Sequence, residues 1–66
     1  MMNESEVFYT FSTAAEYGGG FYSLLGKAGL KADPSNKAKL LLAFPELKQT
    51  YGPASSLHRH LRNVAI

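Results

Sequence analysis

The sequence predicts an all-α protein, a compact bundle of three or four short helices preceded by an extended N-terminal arm. Three observations carry this expectation. The strong punctuation marks are helix boundary signals, the apolar residues between them recur at helical spacing, and only one short segment alternates as a strand does. A chain of 66 residues holds one small domain, residues 1–66, with 1–11 as the arm. At 45% hydrophobic and 18% charged it is too apolar to stay disordered, and four Phe with four Tyr supply bulk for a core.

The arm is read from "VFYTF", which alternates Val7, Tyr9 and Phe11 against Phe8 and Thr10. A single strand cannot form a sheet, so it packs on the helices or pairs with its copy in a dimer. "TAAE", Thr13 to Glu16, has the spacing of a capping box, in which the hydroxyl serves the amide three residues on and the carboxylate reaches back; the first helix is expected to start there. The run Gly18 to Gly20 opposes continuation, because an interior Gly costs roughly 1 kcal/mol relative to Ala. The helix either carries a soft spot or restarts. Phe21, Leu24, Leu25 and Ala28 then follow the i, i+3, i+4, i+7 pattern, and Gly29 with Leu30 reads as a left-handed C-terminal cap.

"ADPSN" opens the next helix, with Asp33 as N-cap and Pro34 in the first turn, where its missing amide proton does no harm. Leu40, Leu41 and Phe44 extend an apolar stripe to Pro45, which breaks the helix by removing a donor and crowding a carbonyl. "PELKQTY" resumes helically, and Gly52 with Pro53 ends it. The last helix, about Ala54 to Asn63, is expected to turn Leu57, Leu61, Val64 and Ala65 inward and Ser55, Arg59 and Arg62 outward. The expected core is Phe21, Leu24, Leu25, Leu40, Leu41, Phe44, Leu47, Leu57 and Leu61.

Charge is distributed unevenly. The first 16 residues carry Glu4, Glu6 and Glu16 with no base, while the other 50 hold seven Lys and Arg against Asp33 and Glu46, a balance of +5. Such a region attracts phosphates or an acidic partner, and it is equally what a solvated helix surface presents. Zero cysteines remove disulfides and thiolate metal sites, which leaves oligomerisation to reinforce a domain this small; a homodimer is expected. No basic-then-apolar leader is visible, and the apolar run "LLLAF" is far short of the roughly 20 residues a membrane helix needs. A soluble, cytoplasmic protein without membrane contact is expected.

The chemistry-bearing residues do not assemble. His58 and His60, two apart, point about 200° away from each other on a helix, whereas helical zinc pairs are four apart on one face. Ser55 and Ser56 precede His58 but suit helix capping better than nucleophilic catalysis, and no acid stands near to orient the imidazole. In "GGGFYSLLGKA" Gly20 is one residue too early for a phosphate-binding loop, and Ala28 replaces the hydroxyl that binds magnesium. No enzyme activity and no cofactor are expected.

Three resemblances remain. "LLGKAGLKA" resembles the GXXG segment of KH domains through Gly26 and Gly29, and implies a clamp on a nucleic-acid backbone. "ELKQTYGPASSLHRHLR" looks like the second half of a bacterial helix-turn-helix. That resemblance implies Gly52 in the turn, Leu57 and Leu61 inward, and Ser55, Ser56, Arg59 and Arg62 in a DNA groove. "ADPSNKAKLLLAFPEL" is similar to a run in small proteins of Bacteroidales and their phages or mobile elements, which brings no function with it.

The function expected is a non-catalytic protein–protein interaction module that binds its own copy or another protein, with Phe8, Tyr9, Phe11 and Tyr22 as the apolar residues to spare. The alternative is a DNA-binding protein using the segment from Pro45 to Asn63.

Overall fold

A computed structural model describes residues 2–65, the side chain of Ala65 excepted. Five helices follow in chain order: α1 (Glu4–Tyr17), α2 (Gly20–Lys31), α3 (Pro34–Ala43), α4 (Glu46–Tyr51) and α5 (Ser56–Ala65). The all-α class is as expected, with five helices instead of three or four and no strand among the described residues.

The expected arm is not extended; it is the body of α1. Asn3 is the N-cap, its side chain accepting the Glu6 amide at 2.8 Å while the Glu6 carboxylate accepts the Asn3 amide at 3.0 Å. This capping box satisfies orphan donors at the helix start, and Glu4 and Glu6 in the first turn suit the positive end of the helix dipole. The aromatic alternation is incidental, because Val7, Phe11 and Ala14 fall on one inward stripe at i, i+4, i+7. Thr13 does not cap a helix either. It is buried inside α1, where its hydroxyl donates to the Tyr9 carbonyl one turn back, and Thr10 does the same to Glu6 at 2.7 Å.

At the glycine run the chain restarts: Gly18 and Gly19 are extended, and α2 begins at Gly20. The return helix lies very close to α1. A Cβ at Gly29 would overlap the Phe11 ring, and one at Gly26 would press on the backbone of Phe11 and Ala15. The Ser23 hydroxyl adds a cross-helix bond to the Ala15 carbonyl at 2.9 Å. Two expectations are corrected here. Gly29 is no left-handed cap, since α2 continues to Lys31 and no residue among those described has positive φ. The inward face is Tyr22, Leu25, Gly26 and Gly29, about 100° round from the one expected. Phe21 and Leu24 are therefore 57% and 68% exposed. Close backbone contact through the glycines outweighs the burial of those two side chains.

Asp33 caps α3 as expected, accepting the Asn36 amide at 2.8 Å, and Pro34 occupies the first turn. Pro45 separates α3 from α4, and Gly52 closes α4, both as expected. Leu47 and Tyr51 carry α4 into the core against α1. Helix α5 starts at Ser56, where Ser55 accepts the Leu57 amide at 3.2 Å. Its inward residue is His58, fully buried, whereas the expected Leu57 is 37% exposed and Val64 is exposed. The reason is a hydrogen bond: His58 Nδ1 lies 2.9 Å from the Tyr51 carbonyl, one of the acceptors that the end of α4 leaves without a helical partner. Leu61 is half-buried, and the inward placing expected of Ala65 concerns a side chain outside those described.

The core is thus Phe11, Ala14, Leu47 and Tyr51, ringed by partly buried Val7, Tyr22, Leu25, Leu30, Leu40, Leu41 and Phe44. Helix α1 is its axis, packing against α2, α4 and α5. Among the described residues, no helix is long and apolar enough to cross a membrane.

Candidate functional site

Helix α3 buries no residue completely and packs against α2. It leaves an open groove, about 740 Å³ in volume, between itself and the N-terminal half of α1. Val7 and Phe8 form one wall, and Ala38, Leu41 and Leu42 the other. Phe8 is 48% exposed and Leu42 83%, so this is apolar surface that folding of the single chain leaves in water. The rims are charged and opposite in sign: Glu4 stands on the α1 side, Lys37 on the α3 side. The same holds for the whole helices, since α1 carries Glu4, Glu6 and Glu16 without a base, and α3 carries Lys37 and Lys39 without an acid.

Of the four aromatic residues expected at a self-association surface, only Phe8 lies in this groove. Tyr9 is half-buried on another side of α1, its ring 6.1 Å from that of His58 and 5.2 Å from the Arg62 guanidinium carbon. Phe11 belongs to the core and has no surface to offer. Tyr22 is a tie between elements: its hydroxyl donates to Glu46 Oε2 at 2.7 Å, joining α2 to α4. That bond holds the Glu46 carboxyl below its ordinary range and, aided by partial desolvation, pushes the Tyr22 phenol above its own. Leu42 and Ala38 were not singled out in the sequence. The signal was there in the triple Leu40–Leu42, since a helix packed on one side cannot bury three successive leucines.

The residues expected at a DNA groove separate. Ser56 and Arg59 face solvent; Ser55 is committed to capping α5; Arg62 is half-buried with its guanidinium over Tyr9. Both α4 and α5 dock on α1. His60 is exposed beside the Tyr17 ring, centroids 6.3 Å apart. Gly26 and Gly29 lie within α2, so the GXXG likeness does not correspond to a loop between helices. Among the described residues, no three His, Asp or Glu side chains gather as metal ligands. The imidazole of His58 is closed off, and among the described residues its Nε2 has no hydrogen-bond partner.

No protein-family model matches the chain, and comparison with the curated proteins and with the solved structures gives no match either.

Proposed function

We propose that this is a cytoplasmic, non-catalytic protein–protein interaction module that self-associates through the groove between α1 and α3. The observation that carries the reading is the groove itself: an apolar trough of about 740 Å³ with Leu42, 83% exposed, on its edge. Isolated exposed leucines are ordinary, but a contiguous apolar concavity rimmed by charge is what interaction sites look like. The small core adds weight, because a domain of this size gains stability when a partner covers what it cannot bury. Sedimentation velocity over a range of concentration tests it. The wild type should associate, and Leu42→Glu should be monomeric with an unchanged far-ultraviolet circular dichroism spectrum, since the side chain has almost no contacts to lose. A wild type that stays monomeric at millimolar concentration removes the reading.

DNA binding through α5 has one specific observation in its favour: Ser56, Arg59, His60 and Asn63 share an exposed face, and the helix has no acidic residue. The electrophoretic mobility of mixed duplex DNA at about 50 mM salt, where non-specific binders are visible, tests this reading. If it holds, Arg59→Ala reduces the salt slope by about one contact. Absence of a shift by the wild type rejects it.

A further inference from the structure

We infer that the occupant of the groove is a second copy of this chain, related by a two-fold axis running along the groove, so that α3 of each protomer lies on α1 of the other. This rests on the groove being the self-association site proposed above, and it adds the geometry of the pairing. Two-fold contacts between identical chains are self-complementary: if residue i meets residue j, then j meets i. In a face-to-face pairing the axis lies in the plane of contact, and its two limiting directions are across the trough and along it. An axis across the trough sets α1 on α1 and α3 on α3, so that the wall with Glu4 meets its own copy and the wall with Lys37 meets its own. An axis along the trough exchanges the walls. The acidic wall of α1 then faces the basic wall of α3, twice, once at each side of the axis.

The charges favour the second arrangement and disfavour the first, since like charges held close across an interface oppose it and unlike charges fix its register. The apolar residues agree. Exchanging the walls carries Leu42 of each protomer over the wall that holds Phe8 and Val7 of the other, covering the most exposed large apolar side chain among the described residues with apolar surface. Size requires that the rims take part. A stable interface buries about 800 Å² per partner, close to a fifth of the 4250 Å² this chain exposes, and so takes in the whole trough with Glu4 and Lys37 at its rims.

The test is association measured by sedimentation equilibrium at low salt, where rim charges are least screened, with the wild type, Glu4→Lys, Lys37→Glu and an equimolar mixture of the two variants. Each variant alone places like charges at both symmetric contacts and should weaken its homodimer about three- to tenfold. In the mixture both contacts are again opposite in sign, so the Kd should return to within about twofold of wild type. The two variants differ in charge, and ion-exchange of the mixture resolves the mixed dimer. Circular dichroism checks that each is folded; if Glu4→Lys is not, Glu4→Gln takes its place and the mixture recovers part of the loss. A mixture no tighter than its components, or single variants as tight as wild type, overturns the two-fold arrangement. If Leu42→Glu abolishes association while the mixture fails to recover, the groove still stands as the interface and only the geometry falls.

Discussion

At the scale of single residues, the contact between Gly29 and Phe11 separates two effects of the same substitution. Gly→Ala in a helix interior ordinarily gains up to about 1 kcal/mol from backbone entropy. At Gly29 the added methyl enters the Phe11 ring, and overpacking of this kind costs about 1–3 kcal/mol. Gly29→Ala should therefore lower the urea midpoint, while Gly20→Ala, with nothing near its Cβ, should leave it unchanged or raise it. His58→Ala should be among the most damaging changes in α5. It empties a fully buried site and strips the Tyr51 carbonyl of its partner, at a cost of about 2–5 kcal/mol read from the same denaturation curves. The Tyr22–Glu46 bond should show itself in pH. The folded state lowers the Glu46 pKa, so that contribution is present above the ordinary carboxylate value and lost as pH falls through the folded one. The folded state raises the Tyr22 pKa, so its contribution is present below the ordinary phenol value and lost as pH rises through the folded one. The stability difference between wild type and Tyr22→Phe should accordingly be flat from about pH 6 to 9 and shrink on both sides.

At the scale of elements, two N-caps that each accept the amide three residues on should behave differently. Asn3→Ala unties the start of α1, around which α2, α4 and α5 pack, and should cost about 0.5–2 kcal/mol of global stability. Asp33→Ala removes the equivalent bond from α3, which buries nothing completely. Its effect should be local: faster hydrogen exchange at the amides of Asn36 to Lys39, with the unfolding midpoint little changed. The contrast also shows what could be read from the sequence. The signals at Asp33, Pro34, Pro45 and Gly52 were legible because capping and proline chemistry are local to a few residues. The start of α1 was missed although Asn3 and Glu6 have the capping-box spacing, because the alternating aromatics after them mimic a strand. The inward faces of α2 and α5 were not legible from hydropathy. Gly26 and Gly29 pack through the absence of a side chain and His58 packs to reach a carbonyl, and neither leaves an apolar signal. The periodicity instead follows Phe21, Leu24 and Leu57, which the fold leaves exposed. Of the groove, Phe8 was read from the sequence as free apolar surface, while Leu42 depended on where α3 docks, a property of the whole arrangement.

At the scale of the molecule, few large side chains are fully buried, so stability should respond to anything that covers the groove. For a self-associating chain this makes the thermal midpoint depend on concentration by mass action. Wild-type protein heated over a hundredfold range of concentration should melt progressively higher, and Leu42→Glu should melt at one temperature throughout. The tight pairing of α1 with α2 has a consequence of a different kind. These helices are joined by the two residues Gly18 and Gly19, so their contacts close a short loop at small entropic cost. Contacts so close in sequence form early, and chains dominated by them fold in microseconds to milliseconds. The α1–α2 hairpin is then the nucleus, with α5 added after the barrier. In stopped-flow or temperature-jump experiments Gly29→Ala should slow refolding and barely alter unfolding, whereas His58→Ala should mainly speed unfolding. The glycines that let two backbones touch would in this way govern how fast the chain folds, and the buried histidine how long it stays folded.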